Sequence, residues 1–142
     1  MFGIGLNQSN FSFTDQQKEK MLTFGDTALV ITDYKKFISR VKKAANKQRL
    51  QMYFGAVHYF NPNEDNANLI ISLLKGMWNI AFWKRDRYSY QQEVRFVFVS
   101  DNKNLDHIEL NIGDISDISV TMSTNQILNS ICIKSDNSKT TN

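Results

Sequence analysis

The chain has 142 residues, of which 42% are hydrophobic and 22% are charged, an ordinary composition for one globular domain with a core of its own. Its net charge of +3 is only mildly basic, unlike the strong asymmetry of a dedicated nucleic-acid binder. The one cysteine, Cys132, excludes an intramolecular disulfide and fits a reducing compartment. We therefore predict one cytoplasmic domain over residues 1–134, followed by a disordered polar tail over 135–142.

We do not expect the first residues to form a targeting segment. Residues 1–6 lack the basic flank of a signal peptide, and no apolar run approaches the roughly 20 residues of a membrane-spanning helix. We therefore expect no membrane association. Residues 2–6 are predicted as a short strand, and the polar stretch that follows them is predicted as a loop.

The first half of the chain alternates helices and strands. The stretch Thr14-Asp15-Gln16-Gln17 is predicted to open a short helix through Met21, and an apolar strand follows over Thr27–Ile31. Thr32 or Asp33 then caps an amphipathic helix, whose apolar stripe recurs at helical spacing. The members of that stripe are Tyr34, Phe37, Ile38, Val41, Ala44 and Ala45.

Lysines cover the opposite side of this helix: Lys35, Lys36, Lys42, Lys43 and Lys47. One interpretation is a footprint for the phosphates of RNA or DNA. The other is the solvated face of an ordinary amphipathic helix, since the aromatic residues that would stack on bases are missing from it.

The second half continues with a strand over Leu50–Phe60 and a break at Pro62. A helix over Asn66–Trp78 is apolar on several sides, which predicts that it is buried on more than one side. Shorter elements complete the chain: a strand over Ile108–Ile112, a short strand or the entry to a helix over Ile115–Met122, a helix over Asn125–Asn129 and an edge strand over Ile131–Ile133.

The strongest strand pattern runs from Tyr88 to Val99, where most residues are β-branched or aromatic. Alternation places Gln91, Glu93 and Arg95 in a polar row, with neighbours roughly 7 Å apart. We predict an interior strand whose polar start lines the principal cleft. Together with the other elements it predicts an α+β fold, in which two main helices pack on a mixed or mostly antiparallel sheet of five or six strands.

Glu93 is the candidate catalytic residue. A carboxylate at this position can act as a general base or hold a ribose hydroxyl, and Arg95 would lower its pKa. The alternative is a structural ion pair between Glu93 and Arg95. His58 and His107 are isolated, and no residues have the spacing of metal ligands, so no metal site is predicted.

Cationic and aromatic residues gather just before this row. Lys84, Arg87, Tyr88 and Tyr90 suit a ligand that carries both a phosphate and a base. A basic turn between a helix and a strand is the alternative.

The segment Phe82-x-Lys84 followed by Tyr88-x-x-Gln91-x-Glu93-x-Arg95 resembles a signature near the C-terminal end of an uncharacterised bacterial family, a domain of unknown function. Shorter phrases extend the likeness over residues 20–120: Phe24–Ala28, Phe37-Ile38-x-Arg40-Val41, Val57-x-Tyr59 and Ile112–Ile118. The resemblance implies a bacterial or phage protein linked to defence. It also implies that the chain is an incomplete member, lacking an N-terminal part of the family.

Gln91-x-Glu93 also looks like the Gln/Glu-x-Glu strand of ADP-ribosyltransferases. This likeness implies NAD as the cofactor, with Glu93 holding the ribose and Gln91 steering the acceptor. The upstream Arg or His strand of those enzymes has no counterpart here, and Ser123-Thr124 follows Glu93 instead of preceding it. Three functions stay open: a nucleotide-binding enzyme, a non-catalytic nucleic-acid or protein module, and an inactive incomplete member.

Overall fold

A computed structural model describes residues 10–101, 107–130 and 133–134. The chain is α+β, as the sequence predicts, and its strands pair mostly antiparallel. Six of the described strands have three residues or more, which matches the predicted number. Hydrogen bonds within the described ranges group the strands two by two, so they form four small sheets where one sheet was expected.

The helices are α1 (Asp15–Leu22), α2 (Tyr34–Lys47), α3 (Ala67–Leu74) and α4 (Thr124–Ser130), with 3₁₀ helices at Met77–Phe82 and Asp86–Gln91. The strands are β1 (Asn10–Phe11), β2 (Thr27–Ile31), β3 (Gln51–Ala56), β4 (His58–Phe60), β5 (Trp83–Arg85), β6 (Val94–Val99), β7 (Ser119–Ser123) and β8 (Ile133–Lys134). The pairs β1–β8, β2–β7 and β3–β6 are antiparallel, and β4–β5 is parallel.

The first two helices begin where the sequence predicts, and both have side-chain caps. Thr14 and Gln17 form a capping box, in which the backbone N–H of Gln17 donates to the Thr14 hydroxyl at 3.2 Å and that of Thr14 donates to Gln17 Oε1 at 3.0 Å. Asp33 caps α2 by accepting from the Lys36 N–H at 2.9 Å. The apolar stripe of α2 is confirmed at its centre, where Val41, Ala44 and Ala45 are buried.

A small apolar core lies beside the β2–β7 pair. Phe13, Ile127 and Leu128 form its buried centre, and half-buried residues from α1, β2 and β7 pack around them: Met21, Ala28, Val30 and Met122. Leu128 is 3% exposed. This core joins the predicted helix near Asn125–Asn129 to the predicted strand Thr27–Ile31, and both elements are confirmed.

The prediction for Asn66–Trp78 was wrong in length and in burial. Gly76 has φ 134°, a conformation that other residues rarely adopt, and α3 ends just before it at Leu74. None of the helical residues is buried, and Leu74 is 83% exposed. An apolar helix is buried only where other elements pack against it. Within the described residues, no element covers α3 on more than one side.

The Leu50–Phe60 strand is divided at Val57, where the chain changes partner from β6 to β5. Ile108–Ile112 forms no strand, and the strand predicted from Ile115 begins only at Ser119. The predicted strand over residues 2–6, the tail over 135–142 and Cys132 lie outside the described residues. No helix in the described part of the chain is both long and apolar enough to cross a bilayer.

Candidate functional site

The prediction of one interior strand over Tyr88–Val99 was wrong for its first half. Residues Asp86–Gln91 form a 3₁₀ helix, and Gln92 is left-handed, with φ 41° and ψ 52°. Only Val94–Val99 is a strand, and in the described ranges it pairs with β3 alone. β-Branched and aromatic residues favour strands on average. Here a contact distant in sequence competes with that preference, because Gln17 Nε2 of α1 donates to the Tyr90 carbonyl of the 3₁₀ helix at 3.4 Å.

The turn at Gln92 brings the polar residues together more closely than an extended strand would. The Lys84 ammonium, on β5, donates hydrogen bonds to Gln91 Oε1 and to Glu93 Oε1. In an alternating strand Gln91 and Glu93 would stand roughly 7 Å apart. Here one cation binds both, so the structure brings these two predicted residues together in a different way from a strand.

Glu93 is fixed from several directions. Its second carboxylate oxygen, Oε2, accepts from Nε and lies 2.8 Å from Nη2 of Arg95, which makes this ion pair bidentate on the arginine side. Arg95 also donates to the carbonyl of Ala81 at 2.6 Å. The backbone N–H of Glu93 donates to the Tyr59 hydroxyl at 2.9 Å. The Glu93 side chain is 17% exposed, so its position is set by protein contacts.

The two cations keep Glu93 ionised. Partial burial acts to raise the pKa of Glu93, but the hydrogen bonds and charges of Lys84 and Arg95 outweigh it. The pKa therefore lies below its ordinary value of 4.5. A carboxylate of this kind is a weak base, because it holds a proton poorly, but it is a reliable acceptor for a hydroxyl or for positive charge.

Tyr88 and Tyr90 complete the arrangement. The Lys84 ammonium and the Arg87 guanidinium each lie 4.7 Å from the centre of the Tyr88 ring, and Arg87 donates to the Tyr88 hydroxyl at 2.9 Å. The Tyr90 hydroxyl accepts from Gln91 Nε2 at 3.2 Å. All the predicted site residues thus meet in one place, which we call the Lys84 cluster: Lys84, Arg87, Tyr88, Tyr90, Gln91, Glu93 and Arg95.

A polar cleft of about 420 Å³ opens beside the cluster. Two of its lining residues adjoin the cluster: Tyr59 accepts from the Glu93 N–H, and Trp83 precedes Lys84 in the chain. The other lining residues are His58, Asp65, Asn66, Ala67 and Asn68. The His58 and Trp83 rings lie 5.1 Å apart. Sequence reasoning treated His58 as isolated and gave Tyr59 no role. The predicted strand Leu50–Phe60 and the phrase Val57-x-Tyr59 were the signals that pointed to this part of the chain. Lys84 and Tyr88 are not among the residues that line this cleft, although Tyr59 and Trp83, the neighbours of Lys84, are.

The structure divides the predicted basic face of α2 into two columns. Lys36, Lys43 and Lys47 share one side of the helix with Arg40, whereas Lys35 and Lys42 lie about 100° around the axis. Lys36 and Arg40 both contact Asp117, at 3.6 and 2.7 Å. The hydrogen bond from Arg40 holds the pKa of Asp117 below its ordinary range.

Among the described residues, no three histidine, cysteine or acidic side chains come together in a way that could hold a metal ion. Comparison with known proteins found no matching family model, no matching curated protein and no matching solved structure. The geometry of the Lys84 cluster and of α2 is therefore the basis for the function proposed below.

Proposed function

We propose that the protein binds a nucleotide-like ligand at the Lys84 cluster. The observation that carries this proposal is the position of the Lys84 ammonium, which lies between the Glu93 carboxylate, the Gln91 amide and the face of Tyr88. A cation, two hydrogen-bond acceptors and an aromatic ring thus lie next to one another, with the ring centre 4.7 Å from the ammonium. Phosphate, ribose and base are the ligand groups that such partners recognise.

The charge of the segment supports an anionic ligand. Four cationic and two acidic side chains occur between Lys84 and Arg95, which leaves an excess of two positive charges. Glu93 offsets only part of the charge of Lys84 and Arg95, and Arg87 is exposed beside them. A phosphate would gain charge-assisted hydrogen bonds from Lys84 and Arg87 without entering a deep pocket.

Glu93 suits the ribose of the same ligand. Each carboxylate oxygen has two lone pairs, so Glu93 can accept a ribose hydroxyl while it remains paired with Arg95. On this view Lys84 moves from Glu93 to a ligand phosphate, and Arg95 keeps the carboxylate in place. The aromatic wall of the neighbouring cleft, formed by His58 and Trp83, is available for the base.

If the protein is an enzyme, ADP-ribosyl transfer from NAD is the reaction that these residues fit best. The acceptor nucleophile would attack C1′ of the nicotinamide ribose, the C–N bond would break, and nicotinamide would leave with the bonding electrons. Glu93, ionised, would stabilise the positive charge that develops on the ribose, and Gln91 would orient the acceptor. The acceptor proton would pass to solvent, since the low pKa of Glu93 makes it a poor base.

Calorimetric titration with NAD, ADP-ribose and ATP tests this proposal, using wild type, Arg87→Ala, Glu93→Gln and Arg85→Ala. Arg85 is the matched control, because it is an exposed cation on β5 and alternation points it away from Lys84. We expect Arg87→Ala to weaken nucleotide binding about tenfold and Arg85→Ala to change it little. If wild type binds none of the three ligands, or if both arginine variants bind equally, the proposal is wrong. Release of nicotinamide from NAD by wild type, lost in Glu93→Gln, would establish the transfer reaction.

A second candidate function is supported by α2. Its lysines are exposed along 13 residues of one helix, Lys35–Lys47, a length that could follow several phosphates of an RNA or DNA strand. Binding by this surface would not depend on sequence, and its affinity would fall steeply with salt. The test is fluorescence anisotropy with a labelled single-stranded RNA at several salt concentrations. An affinity that does not change with salt would rule out the phosphate footprint.

A further inference from the structure

A second cleft, of about 520 Å³, lies between α2 and the segment 111–114, well outside the Lys84 cluster in sequence. The helix contributes Arg40, Lys43, Ala44, Lys47 and Gln48, and the facing wall is Asn111–Asp114. We call it the α2 cleft. Its volume falls in the range of small-molecule sites and exceeds the size of a single inorganic ion.

Hydrogen bonds attach the facing segment to α2 at both ends of the cleft. At one end the Gln48 amide donates to the carbonyl of Glu109 at 2.5 Å. At the other end the Arg40 guanidinium donates to the carbonyl of Asp114 and, at 2.7 Å, to the Asp117 carboxylate. Residues 40 and 48 are about 12 Å apart along a helix. The facing segment is therefore attached to α2 on both sides of the gap.

The facing wall has a conformation of its own. Gly113 has φ 76°, a left-handed conformation that glycine adopts without strain, and its N–H donates to Asn111 Oδ1 at 3.0 Å. The Asp114 carboxylate accepts from the N–H of Ser116 at 2.9 Å and from its hydroxyl at 2.8 Å. These bonds hold the pKa of Asp114 below its ordinary range and occupy the one acidic side chain on the cleft wall. The cleft is thus preformed, which reduces the entropy lost on binding.

Lys43 and Lys47 are the two lysines that line the cleft. They are one helical turn apart, with their Cβ atoms about 6 Å from each other, so their like charges repel. Arg40 is paired with Asp117, but neither lysine has an ion-pair partner among the residues that the structure describes. An anion placed between them would relieve the repulsion and accept hydrogen bonds from both ammonium groups.

We infer that the α2 cleft is a binding site for a phosphate-bearing ligand, with one phosphate group between Lys43 and Lys47. The apolar surfaces of Ala44 and Ile112 line the rest of the cleft and suit the uncharged part of the ligand. The phosphate can come from a small molecule or from a nucleic-acid strand. This inference is independent of the nucleotide site at Lys84, and only its nucleic-acid source rests on the second function proposed for α2.

The test compares two double variants of the full chain. Lys43→Ala/Lys47→Ala removes the cleft pair, and Lys35→Ala/Lys42→Ala removes two charges from the other column of the same helix. Both pairs are exposed, so both variants should melt like wild type, and melting is checked first. The probes are pyrophosphate, followed by calorimetry, and a labelled single-stranded RNA, followed by anisotropy.

We expect the cleft variant to lose about tenfold or more in affinity for the probe that binds wild type. The control variant should lose about twofold or less in affinity for pyrophosphate, and clearly less than the cleft variant in affinity for RNA, since Lys35 and Lys42 also belong to the lysine surface proposed for α2. Binding of pyrophosphate with this pattern assigns a small-molecule source, and binding of RNA alone assigns a nucleic-acid source. An equal loss in both variants would mean that only the general charge of α2 matters, which would overturn the cleft but leave the α2 footprint standing. Failure of wild type to bind either probe would overturn both.

Discussion

The Lys84 ammonium reaches Glu93 Oε1 across a left-handed turn at Gln92, although Lys84 lies on β5 and Glu93, nine positions later, lies just before β6. The contact also includes Gln91, so Gln91 and Glu93 share a single cation. Because Arg95 holds the other carboxylate oxygen, Glu93 lies between two positive charges and remains ionised. The cluster therefore depends on Glu93 for its charge balance as well as for its hydrogen bonds.

Replacing Glu93 by Gln should lower the free energy of unfolding by about 1–3 kcal/mol, because Lys84 and Arg95 would be left partly buried without a counter-charge. Urea unfolding at neutral pH measures this. Glu109→Gln is the control, since the Glu109 side chain is 90% exposed, and its change should stay within about 0.5 kcal/mol. Equal losses in the two variants would mean that the Glu93 ion pairs add no more to stability than a surface contact.

The stability should also depend on pH through the ionisation of Glu93. The folded-state pKa of Glu93 is lowered, so its contribution is present above the ordinary value of 4.5 and is lost as the pH falls through the folded pKa. Wild type should therefore lose stability as the pH falls below 4.5, and Glu93→Gln should lose less. Part of the slope should remain in the variant, because the pKa values of Asp114 and Asp117 are also lowered. Identical slopes would contradict the assignment to Glu93.

The left-handed conformation of Gln92 makes a separate prediction. A β-branched residue tolerates φ 41° poorly, so Gln92→Val should destabilise the fold by about 1–2 kcal/mol, whereas Gln92→Gly should be tolerated. Gln51→Val is the control at an exposed strand position, where valine is favoured. Chemical unfolding of the three variants is the measurement. If Gln92→Val were as stable as Gln51→Val, the turn that joins Lys84 to Glu93 would not be left-handed.

The helix starts and the turn at Gln92 differ in how well they could be predicted from the sequence. Caps and periodicity are local signals, so the starts of α1 and α2 and the strand Thr27–Ile31 could be read from the sequence. The residues of the site could be named as well, because charged and aromatic groups are unusual together. The turn at Gln92 has no local signal, since glutamine does not favour positive φ, and it is imposed by the contacts of Glu93 on either side.

Burial is the other property that could not be predicted from the sequence, and the exposure of α3 shows this. Leu74 has the same side chain as Leu128, yet it is 83% exposed and Leu128 is 3% exposed. Leu128→Ala should therefore cost about 2–5 kcal/mol, because it leaves a cavity in the core with Phe13 and Ile127.

Leu74→Ala should cost less than about 0.5 kcal/mol, since the side chain loses little contact. Urea unfolding of both variants, repeated at two protein concentrations, gives the comparison. A large cost for Leu74→Ala that grows with concentration would show that α3 is covered by another copy of the chain, because only an association of molecules depends on concentration. A large cost that does not change with concentration would instead mean that Leu74 is packed within its own chain, against the exposure that the structure gives it.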